Sequence, residues 1–189
     1  FRSQVTGLYY DGSTAFGFLY DGGSYTKLDP FGLGVGSYGF GINNAGQVTG
    51  YYSDGSTDFG FLYDGSSYTK LDPFGFGLSS VGIGINNAGQ VTGLYYDGST
   101  VFGFLYDGGS YTKLDPFGLG VGSYGFGIND AGQVTGHYYD GSPAFGFLAT
   151  PTSAVPEPTT LLIFGVGLAG LGALRRRKVP HNDHAIRAL

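Results

Sequence analysis

The sequence predicts an all-β fold: a β-propeller-like array of four-stranded antiparallel units, followed by one short C-terminal transmembrane helix. Three observations carry this expectation. A block of sequence recurs every 43 residues. Within each block, large residues alternate with Gly at period two. One uninterrupted apolar run lies close to the C-terminal end.

Composition points the same way. The 189 residues include 38 Gly, 16 Tyr and 16 Phe, so the apolar content is aromatic rather than aliphatic. Gly costs about 1 kcal/mol against Ala inside a helix, whereas aromatic residues suit strands and Gly suits tight turns.

The repeat is read from four motifs. Gln-Val-Thr-Gly begins at Gln4, Gln47, Gln90 and Gln133, and Phe-Gly-Phe-Leu at Phe16, Phe59, Phe102 and Phe145. Leu-Asp-Pro-Phe-Gly begins at Leu28, Leu71 and Leu114, and Gly-Ile-Asn at Gly41, Gly84 and Gly127.

Each unit divides into four strands. In Tyr38-Gly39-Phe40-Gly41-Ile42, and again at Val81, Ile83 and Ile85, the large residues are expected to share one packing face. Asn43-Asn44-Ala45-Gly46 reads as a hairpin turn with Gly placed for positive φ. The second strand is expected over about 47–52, and Asp54-Gly55-Ser56-Thr57 turns it. Phe59, Phe61 and Tyr63 share a face of the third strand, and Asp64-Gly65-Ser66-Ser67 leads into a fourth over 68–72. Pro73 opens a longer connection to about Ser79, because Pro gives no ladder hydrogen bond.

A four-stranded repeat of roughly 40–45 residues is the signature of a propeller blade, with a β-solenoid or other stacked-sheet array as the alternative. The chain enters at the second strand of one unit and leaves after the third strand of another, so 14 strands are expected, two short of four whole blades. The expectation is therefore a partial propeller of about 3.5 repeats over residues 1–149. It ends where Tyr20, Tyr63 and Tyr106 give way to Ala149, and residues 150–154 form a linker.

This array resembles the HAF-type extracellular repeats of bacteria. The resemblance rests on Phe-Gly-Phe-Leu-Tyr-Asp-Gly, Tyr-Thr-Lys-Leu-Asp and Gly-Ile-Asn-Asn-Ala-Gly-Gln-Val-Thr-Gly. It departs at the namesake His-Ala-Phe, which here reads Thr14-Ala15-Phe16 or Thr57-Asp58-Phe59. It implies an extracellular protein and carries over no catalytic residues.

Charge divides the chain. Residues 1–153 carry twelve Asp against Arg2, Lys27, Lys70 and Lys113, while residues 154–189 are net basic. An acidic array repels phosphate backbones, which argues against nucleic acid as a partner. There is no Cys, hence no disulfide framework. Position 1 is Phe and the sequence has no Met, which predicts a processed form or the C-terminal piece of a longer precursor.

The repeated Asp residues tempt a reading as calcium ligands or paired acids. Most precede Gly in turns, where an Asp carboxylate caps its own backbone, and no calcium-loop spacing is present. No metal and no cofactor is expected. A catalytic site needs an asymmetric acid and base, yet nearly every candidate recurs in each unit. Asp58 and His137 are exceptions and read as surface drift. Tyr9, Tyr10, Tyr20, Tyr25 and their copies are candidate ligand contacts, because rim aromatics stack on sugar rings; the competing reading is packing between units. Gly165-Val166-Gly167-Leu168-Ala169-Gly170 matches a dinucleotide-loop pattern but lacks the surrounding βαβ unit.

The C-terminal region combines three features in order: Pro156-Glu157-Pro158, an apolar run over 159–174, and the basic cluster Arg175, Arg176, Arg177 and Lys178. As a helix, the run would span about 24 Å against a hydrocarbon core of about 30 Å. The basic cluster predicts a cytoplasmic C-terminal side. Gly165, Ala169 and Ala173 would share one helix face.

The arrangement over 155–178 resembles the PEP-CTERM sorting signal, and residues 179–189 extend beyond it as a tail. The resemblance implies a Gram-negative bacterium and recognition by an exosortase. It also implies anchoring in the inner membrane before processing, then release to the cell surface or outside, in a setting of exopolysaccharide and biofilm. The leading expectation is a non-enzymatic surface or matrix protein whose array binds glycan or protein. The alternatives are a fibre-forming material assembled edge to edge and, further off, a propeller hydrolase.

Overall fold

In the computed structural model, the described residues are 3–141 and 143–151. They form 14 strands in four antiparallel sheets. The first sheet holds β1 (Gln4–Asp11), β2 (Thr14–Asp21) and β3 (Ser24–Leu28). The second holds β4 (Ser37–Ile42), β5 (Val48–Ser53), β6 (Asp58–Tyr63) and β7 (Tyr68–Leu71). The third holds β8 (Ser80–Ile85), β9 (Val91–Tyr96), β10 (Val101–Asp107) and β11 (Ser110–Leu114). The fourth holds β12 (Ser123–Ile128), β13 (Val134–Tyr139) and β14 (Ala144–Ala149). Each sheet is a meander in chain order, joined by tight turns. The expected apolar helix over 159–174 lies outside the described residues.

The sheets stack in sequence. The first strand of each new sheet, β4, β8 and β12, packs over the two middle strands of a complete sheet or their counterparts, β1 and β2, in the first. Among the described residues, every substantial contact between sheets joins neighbours in the chain. The described residues therefore form an open stack, with no closed propeller ring among them.

Each joint has two unlike faces. The second sheet presents Val48, Tyr52, Phe59 and Phe61 backward, where they bury against Leu19 and Leu28 of the first. The third presents Val91, Tyr95, Phe102 and Phe104 against Leu62 and Leu71 of the second. Burying one such side chain stabilises by about 1.5–3 kcal/mol, so each of these two joints is a core in its own right. Lys70 Nζ lies 3.4 Å from the centre of the Phe59 ring, and Lys113 repeats this 3.3 Å from Phe102. The fourth strand thereby adds a cation over an aromatic ring of the same sheet.

The first strand of each unit differs from the expectation. Tyr38, Phe40 and Ile42 do not form one packing face. A β-bulge places Phe40 as an extra residue between the pairs Gly39–Gly50 and Gly41–Thr49, and Phe40 is exposed. Ile83 and Phe126 hold the same position in the later sheets. The buried face consists instead of the small residues Ser37 and Gly39, and of Ser80 and Gly82 in the next copy. Smallness is required because this strand lies against the previous sheet's backbone. A Cβ on Gly82 would lie inside van der Waals contact of Thr49 Oγ1.

Serine then fastens the joint. The Ser80 hydroxyl accepts the Gly60 N–H at 2.9 Å and donates to the Leu71 carbonyl at 2.5 Å, both in the preceding sheet. Ser37 links Gly17 and Leu28 in the same way, and Ser123 links Gly103 and Leu114. All three serines are fully buried. Ser80→Ala should cost about 1–3 kcal/mol, because it leaves a buried N–H and a buried C=O without their partner. Ser67→Ala, in an exposed turn, should stay within about 0.5 kcal/mol. Denaturant melts of the two variants check the contrast.

Candidate functional site: the aromatic loops and the sorting segment

The long connections between sheets carry the most unusual backbone of the array. Pro30–Gly32, Pro73–Gly75 and Pro116–Gly118 each form a short 3₁₀ turn in which the Phe stands at positive φ: Phe31 at 61°, Phe74 at 62° and Phe117 at 63°. No other described residue apart from Gly does so. A bulky side chain in the left-handed region is a strained exception, costing about 1–2 kcal/mol. It occurs three times, always with Phe.

The surrounding loop holds that conformation. The Gly32 N–H donates to the Asp29 carbonyl, and the Gly34 N–H to Asp29 Oδ1, each at 3.0 Å. Asp72 with Gly75 and Gly77, and Asp115 with Gly118 and Gly120, repeat both bonds. Phe74 packs beside Tyr95 at 5.3 Å between ring centres and Tyr111 at 6.1 Å. Phe31 stands likewise beside Tyr52 and Tyr68, and Phe117 beside Tyr138. Phe31 and Phe74 remain about half exposed and Phe117 is 81 % exposed, with Leu33, Phe76 and Leu119 exposed alongside. The result is one row of aromatic loops at equivalent positions of successive units.

The candidate tyrosines occupy a different place. Tyr9, Tyr20 and Tyr25 lie on the backward face of the first sheet, which has no described sheet before it; Tyr10 lies on the same sheet's β1. The later copies of Tyr9, Tyr20 and Tyr25 are mostly packing residues, whereas Tyr96 and Tyr139, which match Tyr10, are exposed. Tyr52 and Tyr95, which match Tyr9, are buried within joints, and Tyr63, Tyr68, Tyr106 and Tyr111 pack on the same cores. Tyr9 and Tyr25 line a groove of about 560 Å³ together with Phe18 and Lys27. Sequence reasoning missed the Phe31, Phe74 and Phe117 row. The available signal was an aromatic residue held between Pro and Gly in every connection, where turn chemistry alone asks for no ring.

The turn aspartates are occupied by their own backbone. Asp54 Oδ1 accepts the Ser56 and Thr57 N–H groups and the Ser56 hydroxyl, and these bonds hold its carboxyl below the usual range. Asp64, bonded to Ser67 and Ser66, is lowered further, and Asp97 repeats the pattern with Thr100 and Ser99. Among the described residues, no three His, Asp or Glu groups gather in a way that could hold a metal. Asp58 lines a small polar groove with Tyr38 and Tyr51. His137 stacks on Tyr124 with 4.8 Å between ring centres.

A second element missed from the sequence is the turn ladder. Asn43 Oδ1 accepts the Ala45 and Gln47 N–H groups, while its Nδ2 donates to Gln47 Oε1 and to the Asn86 carbonyl of the next sheet. Asn86 does the same toward Asn129. Asn87 donates through its backbone N–H and its Nδ2 to Asp130, whose carboxyl is thereby lowered. The residues read as a local hairpin also tie sheet to sheet.

Burial in the joints pushes Tyr68, Tyr95 and Tyr111 up to about 12, and Tyr51, beside Tyr38 and Asp58, to about 12 as well. A tyrosine raised on folding contributes stability that is complete below its unfolded value near 10 and is lost as pH climbs through its folded value. The array should therefore hold its stability up to about pH 10 and lose it between about pH 10 and 12. Tyrosinate absorbance and sheet circular dichroism should change together over that window.

Comparison with known proteins bears on the remaining segment. Residues 154–178 match the PEP-CTERM protein-sorting motif, and so include Pro156, Glu157, Pro158 and the basic cluster from Arg175 to Lys178. That motif implies an exported protein, targeted to an exosortase and anchored at its C-terminus before processing. No curated protein and no solved structure matches the chain. Among the described residues no helix is long and apolar enough to cross a membrane, and the segment 159–174 lies beyond them.

Proposed function

We propose that this is a non-enzymatic surface protein whose array binds the polysaccharide of an extracellular matrix after exosortase processing. The observation that carries the reading is the row formed by Phe31, Phe74 and Phe117. Each ring is displayed at a strained backbone position where Gly would be easier, and each is left exposed. Strain retained in every copy at an exposed ring is the pattern expected of a binding contact. A row with the period of the array suits a ligand that itself repeats. Aromatic faces stack on the apolar faces of sugar rings, and hydrophilic neighbours such as the Asp turns suit sugar hydroxyls. The absence of strong positive charge in the array favours neutral or weakly charged glycan over polyanions.

The resemblance to HAF-type extracellular repeats agrees with a matrix setting. We read the open stack as an arc of propeller-like blades, because first strands packed over the preceding sheet are how blades follow one another.

Two experiments test the proposal. Replacing Phe31, Phe74 and Phe117 by Gly should leave the sheets folded by circular dichroism, since Gly adopts positive φ freely and relief of strain offsets part of the lost ring packing. The same triple variant should lose at least tenfold in retention by matrix polysaccharide in affinity electrophoresis; unchanged retention would overturn the binding role. Replacing Pro156, Glu157 and Pro158 by Ala should leave the protein in the membrane fraction, and normal release would contradict exosortase processing.

A further inference from the structure

One groove sets the second sheet apart from its copies. The register places Tyr38 opposite Tyr51 and Ser53 opposite Asp58, so these four side chains share one face. They line a groove of about 250 Å³ that also takes in Ser13 and Thr14 from the first sheet. The two tyrosine rings are half-buried and stack almost parallel, with 4.7 Å between centres and 10° between planes. Phe40 stands beside Tyr51 at 5.8 Å and widens this aromatic shelf.

The third sheet repeats the second closely, yet all four of these residues differ in it. Tyr38, Tyr51, Ser53 and Asp58 give way to Val81, Leu94, Tyr96 and Val101. The fourth sheet has Tyr124, His137, Tyr139 and Ala144 at the same positions. Among the described sheets, the second alone brings a carboxylate to a pair of stacked tyrosines. That carboxylate is also uncommitted. Asp54, Asp64 and Asp97 accept N–H groups of their own turns, whereas Asp58 accepts no hydrogen bond among the described residues. The array's three lysines are paired with Asp11, Asp72 and Asp115, so none of them neutralises Asp58. Burial, with Tyr38 and Asp58 adding to it, pushes the Tyr51 phenol up to about 12, so the shelf stays uncharged at neutral pH.

We infer that this groove binds a protonated primary amine carried on a sugar ring, with the ammonium at Asp58 and the apolar ring face on Tyr38 and Tyr51. A cation is attracted both to a carboxylate and to aromatic faces. A metal ion is a poorer fit, because no three His, Asp or Glu groups gather among the described residues. The groove is smaller than the about 300–1,000 Å³ of sites for drug-sized ligands, which suits one sugar unit. Hydroxyls of Ser13, Thr14 and Ser53 stand at hand for those of the sugar. The choice of a sugar rests on the glycan reading above; the choice of a cation rests on the groove alone. The Phe row holds the polymer, and the groove selects units whose nitrogen carries no acyl group, since acylation removes the charge.

Calorimetric titration of the full chain in a mild detergent, with a glucosamine oligosaccharide and with its N-acetylated counterpart, is the test. The wild type should bind the free amine about tenfold more tightly, the scale of one hydrogen bond to a charged group. Asp58→Ala and Asp58→Asn should each abolish that preference and leave the acetylated form bound as before. Tyr38→Val with Tyr51→Leu should weaken the free amine by at least the same factor. Ala, Val and Leu are what the array itself carries at Ala15, Val81 and Leu94, so the sheets should stay folded, which circular dichroism verifies. Equal affinity for the two oligosaccharides would overturn the inference and leave the glycan reading intact. A preference that survives both Asp58 variants would overturn it too, by assigning the amine to the general negative charge of the array. Lysine methylamide bound as tightly as the oligosaccharide would overturn the sugar as occupant. Binding of neither oligosaccharide would also overturn the inference, and the retention assay on the Phe row then decides the glycan reading separately.

Discussion

The stack depends on a buried serine hydroxyl at each sheet-to-sheet joint. Ser37, Ser80 and Ser123 each bond the N–H of a glycine and the carbonyl of a leucine in the preceding sheet. Those two backbone groups belong to neighbouring strands, so a single side chain joins three strands across two sheets. The rest of the joint follows from how close this brings the backbones. Gly39, Gly82 and Gly125 must lack a Cβ where the threonines of the preceding sheet stand. Thr49 and Thr92, buried there, turn their own hydroxyls to the carbonyls of Phe61 and Phe104. Buried polar groups that are all satisfied fix one register, while the aromatic and leucine faces supply most of the burial energy.

A second set of bonds acts at the turns. The asparagine ladder from Asn43 through Asn86 to Asn129 repeats at the array's own period, as amide ladders do in other stacked β structures. Serines within the joints and asparagines at the turns hold the sheets at separate points, so neither the angle nor the spacing of a joint depends on apolar contact alone. Such an array is quasi-one-dimensional, its stability a sum over units and nearest-neighbour joints. The connections between sheets carry the strained, partly exposed phenylalanines, while the serine and asparagine bonds fix the joints beneath them.

Much of this was legible in the sequence. The 43-residue period, the four strands of a unit, the 14-strand total and the aspartate turns all follow from residue types and spacing, because period-two patterns and turn residues are local signals. The face of the first strand was not legible. Its large residues suggested a packing face, but the bulge at Phe40 rotates them, and the close approach of backbones makes the small residues the buried ones. The serine bonds, the asparagine ladder and the positive φ of Phe31, Phe74 and Phe117 depend on partners elsewhere in the chain or on backbone geometry, which residue identity does not report. The sorting segment is the reverse case: three short features in order identify it without any structure.

The central claim is that the serine-fastened joints, not the turns or the apolar faces alone, hold the stack together. Amide hydrogen exchange resolved by residue tests it most directly. The Gly60 N–H, bonded to Ser80 Oγ across the joint, should exchange only through global unfolding, while the Ser56 and Ser66 N–H groups in the aspartate turns should exchange quickly despite their short hydrogen bonds. If the Gly60 amide exchanged as fast as those turn amides, the joint would be opening locally and the account of the fold would be wrong.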